Sequence, residues 1–104
     1  MYDLKANVRK GDILVRQFGY SMTLYDFYKV VDICKSNVKL IRLKSQIVEP
    51  TGFMQYSVQP VNRCGYLTKE VINKRFNKYN GISIDKNPLS IYDEDRTYIE
   101  NHAD

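Results

Sequence analysis

Two long runs of β-branched and aromatic residues, joined by a turn, constrain the fold of this chain more than any other feature. The first run covers residues 24–33, Leu-Tyr-Asp-Phe-Tyr-Lys-Val-Val-Asp-Ile, and the second begins at Val38 and ends at Val48. Residues of these types are enriched in β-strands. Between the runs, Lys35-Ser36-Asn37 has the composition of a hairpin turn. The sequence therefore predicts a long antiparallel hairpin.

Shorter strand signals flank this hairpin. An apolar stretch at residues 13–18 is followed by a polar loop at 19–23, and residues 54–59 alternate between apolar and polar with a period of two. A short strand is predicted at 82–84, before Pro88, which lacks the N–H that a regular central ladder needs. Four to six strands with few helix signals predict a mainly β fold, either a small SH3-like barrel or a strongly bent antiparallel sheet.

The segment at residues 65–80 fits two structures. Four apolar residues would share one side of a helix that Thr68 could cap, and the same four fit an irregular strand: Leu67, Val71, Ile72 and Phe76. We favour the strand, because residues 12–61 already need a sheet partner. One short helix around 68–77 remains the alternative.

The length of 104 residues predicts one β domain over residues 1–104, with an acidic tail from about residue 93. No apolar run approaches the roughly 18 residues that span a bilayer, and the first residues do not resemble a signal segment. We therefore expect a cytoplasmic protein without a membrane partner. In a reducing cytoplasm we favour free thiols at Cys34 and Cys64, and a disulfide between them remains the alternative.

Charge is distributed unevenly along the chain. Residues 1–48 carry a net charge of +5, residues 49–82 carry +3, and residues 83–104 carry −4. A basic body with an acidic end is compatible with a nucleic-acid or nucleoprotein partner. A soluble surface on which the charges are segregated by chance is the alternative interpretation.

Catalytic signals are weak throughout the sequence. His102 is the one histidine, and it lies two residues from the end of the sequence, where fraying is expected. The acidic triplet Asp93-Glu94-Asp95 could bind a divalent cation, but it has the composition of a solvated loop. The five glycines form no phosphate-binding loop. We therefore predict a protein that is not an enzyme and that has no catalytic residues, no metal site and no cofactor.

Three segments carry a resemblance to a known family. They are Gly-Asp-Ile at residues 11–13, Gly-Tyr-Ser-Met-Thr at 19–23 and Asp-Phe-Tyr-Lys-Val-Val at 26–31. In this pattern the chain resembles small uncharacterised proteins of bacteriophages and mobile elements, in which tryptophan usually stands where this chain has Phe18. The resemblance implies a phage or mobile-element source and a bacterial host cytoplasm. It implies no activity, substrate or catalytic residue.

The binding prediction rests on basic and aromatic residues that lie near one another along the long hairpin and its preceding loop. Cations attract phosphates or acidic surfaces, and exposed tyrosines can stack on bases or anchor a protein interface. The predicted binding residues are Tyr20, Tyr25, Tyr28, Lys29, Lys39, Arg42 and Lys44. The alternative is that the tyrosines cap a small core while the lysines protect a strand edge.

These observations lead to two functional hypotheses. The first is a non-enzymatic phage binding module that inhibits a bacterial defence complex, such as a CRISPR effector or a nuclease, by binding a host protein or nucleoprotein. The second is a general nucleic-acid-binding accessory protein that binds RNA or DNA. The oligomeric state is left open.

Overall fold

The structure is a computed structural model that describes residues 4–19, 22–61, 66–78 and 80–102. Within these residues a short helix comes first, and nine strands follow. The elements are α1 (Leu4–Asn7), β1 (Ile13–Phe18), β2 (Leu24–Ile33), β3 (Asn37–Leu43), β4 (Ser45–Gly52), β5 (Gln55–Pro60), β6 (Tyr66–Arg75), β7 (Ser83–Ile84), β8 (Asn87–Ile91) and β9 (Tyr98–Asn101). The mainly β prediction is confirmed.

The strands form two antiparallel sheets. The large sheet has the order β6-β3-β2-β1-β8-β7 and curls strongly into a half-barrel, and the small sheet has the order β4-β5-β9. The predicted strongly bent sheet is therefore confirmed. Residues 68–75 of the ambiguous stretch belong to strand β6, and the short helix of the described residues is α1, at residues 4–7.

Two features differ from the sequence prediction. The strand expected from Val38 to Val48 is broken at Lys44, so that β3 belongs to the large sheet and β4 to the small one. The acidic end is not simply a tail, because β9 pairs with β5 and an isolated bridge joins Asn101 to Thr23. Both differences depend on which sheet a segment joins, and local composition does not specify this.

Each face of the large sheet carries one cluster of buried apolar side chains. On one face lies a first core, to which helix α1 contributes Leu4 and the residue after the helix contributes Val8: Leu4, Val8, Leu14, Tyr28, Val30, Val38, Leu40, Ile82 and Leu89. On the other face lies a second core, which the small sheet completes: Val15, Tyr25, Phe27, Leu43, Val58 and Tyr98. Neighbours in the sequence such as Leu14 and Val15 enter different cores, because successive side chains of a strand point to opposite faces.

Candidate functional site

The tyrosines of the predicted site do not form an exposed surface. Tyr25 and Tyr28 are 9% and 3% exposed, and they belong to the second and first core respectively. The Tyr25 ring packs edge-on against Tyr98, with 5.2 Å between the ring centroids. The expectation that these two rings are available for stacking on a partner is therefore wrong, since the core already covers them. Tyr20 lies outside the described residues.

The basic residues of the predicted site lie on different faces of the large sheet. Lys29 pairs with Ile41 in the β2–β3 ladder, Ile41 pairs with Val71 of β6, and Lys39 pairs with Asn73. Alternation along the strands places Lys29, Lys39 and also Arg75 on one face, which we call the basic face. Lys39 and Arg75 are exposed, and Lys29 is partly buried.

The remaining two cations lie elsewhere. Arg42 pairs with Tyr28 in the ladder, so its side chain is on the opposite face from Lys29 and Lys39. Lys44 is exposed at the break between β3 and β4. The structure therefore brings together two of the seven predicted binding residues, Lys29 and Lys39, on one surface.

Arg42 belongs to a charge cluster that the sequence analysis did not identify. The Asp26 carboxylate accepts hydrogen bonds from Arg16 Nη2 at 2.7 Å and from Arg42 Nη2 at 2.8 Å. Arg16 Nη1 also lies 3.3 Å from an Asp85 oxygen, and Tyr28 Oη lies 3.5 Å from Asp26 Oδ2. The cross-strand register places Arg16 directly opposite Asp26. Because both of these side chains are about nine-tenths buried, the cluster holds β1 and β2 together through a largely desolvated ion pair.

Burial and charge shift two pKa values in this cluster. Burial lowers the pKa of Arg16, but the hydrogen bond and the charge of Asp26 outweigh that effect, so its pKa lies above the ordinary value. Burial, helped by the Asp26 carboxylate, raises the pKa of the Tyr28 hydroxyl. Within the described chain, Arg16 Nε is buried without a hydrogen-bond partner. The cluster therefore depends on Asp26 to neutralise Arg16.

The clearest surface feature is an apolar area on the small sheet. Of the six large apolar residues that are strongly exposed in the described chain, five lie on this sheet or on its hairpin turn: Ile47, Val48, Phe53, Met54 and Ile99. Phe53, in the turn between β4 and β5, is 87% exposed. The register pairs Ile47 with Val58 and Ile99 with Ser57, so the five side chains are distributed over both faces and the tip of the small sheet, and we call them together the apolar hairpin surface. Clustered exposed apolar residues are typical of interaction sites, whereas isolated ones are ordinary.

The composition of the β4–β5 hairpin fits this interpretation. The sixteen residues from Ser45 to Pro60 contain one charged side chain, Glu49. The centres of protein interfaces are depleted of charged residues and enriched in aromatic residues and methionine. Phe53 and Met54 lie at the tip of this hairpin and are exposed, so packing in the protein core does not explain why these two residues are apolar.

The outer edge of β4 is poorly suited to pairing with another strand. The Glu49 N–H donates to Ser57 Oγ at 3.2 Å and therefore points inward toward β5. Successive backbone N–H groups of a strand alternate in direction, so the nitrogen of Pro50 is on the outer edge, where it has no hydrogen to donate. The register of β4 also shifts twice against β5. A partner would therefore contact this hairpin through side chains.

A cleft opens on another part of the molecule. It has a volume of about 870 Å³ and lies where β1 and β8 meet Gly19, Met22 and Thr23. Its floor includes core residues such as Leu89, Tyr25 and Tyr98, and its rim includes Gln17 and Arg96. Residues 45–61 do not contribute to the described lining. The cleft and the apolar hairpin surface are therefore separate.

The groups considered for catalysis are engaged in local contacts. His102 Nε2 lies 3.2 Å from Glu100 Oε1, while Glu100 Oε2 accepts the Tyr25 N–H at 2.9 Å. In the acidic triplet, Asp93 Oδ1 accepts the Asp95 N–H at 2.9 Å. Across residues 4–19, 22–61, 66–78 and 80–102, no three His, Cys, Asp or Glu side chains are grouped so that they could hold a metal ion. The absence of enzymatic activity stays a prediction.

Cys34 is an exposed free thiol, and Cys64 lies outside the described residues. Among the described helices, none has the length and apolar character required to cross a membrane.

No protein-family model, curated protein or solved structure matches this chain. The residues and their geometry are therefore the basis of the functional proposal.

Proposed function

We propose that this chain is a non-enzymatic binding module that docks on a protein through the apolar hairpin surface. The observation that carries the proposal is the concentration of exposed apolar side chains on the small sheet, around a hairpin with one charged residue. Burying a side chain of the size of Phe, Ile or Met contributes about 1.5–3 kcal/mol. Phe53 is the expected anchor, because it is the most exposed and projects from the tip.

The basic face supplies a second, electrostatic contribution to the proposal. Lys29, Lys39 and Arg75 would attract an acidic protein surface or the phosphates of a nucleoprotein, and would increase the rate of encounter. Asp32 lies opposite Lys39 in the ladder and offsets part of its positive charge, so the attraction of the basic face for an anionic partner is moderate. We expect the cations to determine mainly the association rate constant and the apolar side chains to determine mainly the dissociation rate constant.

The biological role that we propose is inhibition of a bacterial defence complex, such as a CRISPR effector or a nuclease, in the host cytoplasm. The resemblance to small phage and mobile-element proteins supports this role. A module of 104 residues can act by covering a partner's working surface, which requires no catalytic residues of its own.

The second candidate is a general nucleic-acid-binding accessory protein. The basic face favours it, because cations on one sheet surface provide the sequence-independent attraction to phosphates. The burial of Tyr25 and Tyr28 weakens it, because these rings are not free to stack on bases.

Capture of partners from host lysate, with and without nuclease, tests the proposal. We expect a protein partner that resists nuclease, is retained by the wild-type chain and is lost with Phe53→Ser or Ile47→Ser. Val71→Ser is the comparison variant: Val71 is 50% accessible and lies on the basic face, in register with Ile41 and Lys29, so it tests exposed apolar area outside the apolar hairpin surface and should reduce retention less than the two hairpin variants. All three variants should keep the wild-type melting temperature, since the altered side chains are exposed.

Two results would contradict the proposal. Partners that disappear entirely after nuclease treatment would favour the nucleic-acid-binding candidate. Equal retention by Phe53→Ser, Ile47→Ser and Val71→Ser would show that the apolar hairpin surface does not carry the interaction.

A further inference from the structure

The cleft that β1 and β8 form with Gly19, Met22 and Thr23 has the size of a small-molecule site. Its volume of about 870 Å³ lies within the range of roughly 300–1,000 Å³ that is typical of ligand pockets. Such pockets combine an apolar lining with a few polar groups that fix the orientation of the ligand. This cleft has that composition, with Val15, Leu89 and Tyr98 in the floor and Gln17, Thr23 and Asn87 around them.

The charge of the cleft indicates what it would bind. Among the described lining residues, Arg96 is the one with a charged side chain. Its guanidinium lies over the Tyr98 ring, 4.9 Å from the centroid, and no carboxylate of the described residues lies within ion-pair distance of it. The preceding acidic residues, Asp93 to Asp95, are exposed and do not line the cleft. A cleft of mixed apolar and polar lining, with a cation at its edge that has no carboxylate partner among the described residues, is complementary to an anion with an apolar body.

We propose that this cleft binds a small organic anion, whose aromatic or aliphatic body occupies the apolar floor and whose acidic head pairs with Arg96. The planar fork of a guanidinium suits carboxylate, sulfonate and phosphate oxygens, because it can donate two parallel hydrogen bonds. Its position over Tyr98 restricts the side chain before the ligand arrives, which reduces the entropy lost on binding. This site is independent of the apolar hairpin surface and of the proposed protein partner.

Two fluorescent probes of nearly identical shape test the proposal. Anilinonaphthalene sulfonate carries an acidic head, and phenylnaphthylamine is the same body without the sulfonate. We expect saturable binding of the sulfonate to the folded chain. Arg96→Gln should weaken sulfonate binding by roughly tenfold and leave phenylnaphthylamine binding unchanged, because the lost interaction is a charge-assisted hydrogen bond.

Three further variants make the result specific to the cleft. Ser90→Trp places a large ring at an exposed lining position of β8 and should weaken both probes. Arg75→Gln removes an equivalent charge from the basic face and should change neither probe. Phe53→Ser should also change neither probe, because the apolar hairpin surface does not line the cleft. Melting temperatures identify any variant that fails to fold, and Arg96→Gln changes an exposed side chain.

Several results would overturn the proposal. Sulfonate affinity that is unchanged in both Arg96→Gln and Ser90→Trp would place the probe elsewhere. Loss of the signal in Phe53→Ser would assign the probe to the apolar hairpin surface. A signal that fails to saturate, or that increases only as the protein unfolds, would show that the folded cleft holds no ligand.

Discussion

Replacing Asp26 with asparagine should be the most destabilising polar substitution in the charge cluster. The change keeps the shape of the side chain but removes the negative charge that neutralises Arg16 and Arg42. Arg16 would then lose its buried counterion and keep only the Ile84 carbonyl and the exposed carboxylate of Asp85 as partners of its Nη1.

The expected magnitude follows from the burial of each partner. Breaking a buried ion pair by removing one member costs about 3–5 kcal/mol, because an uncompensated charge is left behind. The Arg16 side chain is 10% exposed, so this range applies to it. The Arg42 side chain is 41% exposed, and its share should be below about 1 kcal/mol because of solvent screening. Asparagine still offers a hydrogen-bond acceptor, so we expect a total loss near the lower end, about 3 kcal/mol.

Urea denaturation of wild type and variants measures this loss, provided that the slope of unfolding against urea is unchanged. The matched control is Asp32→Asn, an exposed carboxylate on the same strand, which should change stability by less than about 0.5 kcal/mol. The double variant Arg16→Met with Asp26→Leu should recover most of the stability, because apolar residues of similar volume can replace a buried pair. If Asp26→Asn behaves like Asp32→Asn, or if the double variant is less stable than Asp26→Asn alone, the reasoning is refuted.

Two further predictions concern stability. The pKa of the Tyr28 hydroxyl is raised in the folded state, so the folded state holds the hydroxyl proton more tightly than the unfolded state does. This contribution to stability is complete below the unfolded-state pKa of about 10 and is lost as the pH rises through the folded-state pKa. Tyr28→Phe should therefore reduce the alkaline loss of stability in urea titrations from pH 9 to 11, and an unchanged loss would contradict the assignment. The β7–β8 turn places Asp85 and Lys86 at positive φ, 50° and 68°, where side chains are strained. Lys86→Gly should raise the unfolding free energy by about 0.5–1 kcal/mol, measured by urea denaturation, and a decrease would show that the turn is not strained.

The strands were predictable because their signals are local. β2 and β3 follow from β-branched and aromatic runs around a polar turn, and β5 from its period of two. The burial of the tyrosines was harder to predict, because four consecutive residues of β2, Tyr25 to Tyr28, are buried on alternating faces. A run that is buried on both sides carries no periodic signal that separates core from surface.

The candidate surfaces depend on information that strand signals do not contain. The Arg16–Asp26 pair requires the register of β1 against β2, which is set by packing and not by composition. The break at Lys44 requires knowledge of which sheet each half of the segment joins. The apolar hairpin surface did leave a signal in the sequence, since Phe53 and Met54 directly follow Pro50-Thr51-Gly52, a combination typical of turns, whose neighbours are ordinarily polar.

The pairing of β9 with β5 has a consequence for how the protein folds. Val58 and Tyr98 are neighbours in the small sheet although about forty residues separate them along the chain, and Glu100 also accepts the Tyr25 N–H. During synthesis, β4 and β5 therefore emerge from the ribosome well before the strand that completes their sheet. Contacts between distant segments form slowly, commonly over milliseconds to seconds. Until residues 98–101 dock, Val58 and Tyr25 are not packed against Tyr98 and remain partly exposed to solvent. A nascent chain stalled before Tyr98 would therefore expose this apolar surface to aggregation or proteolysis.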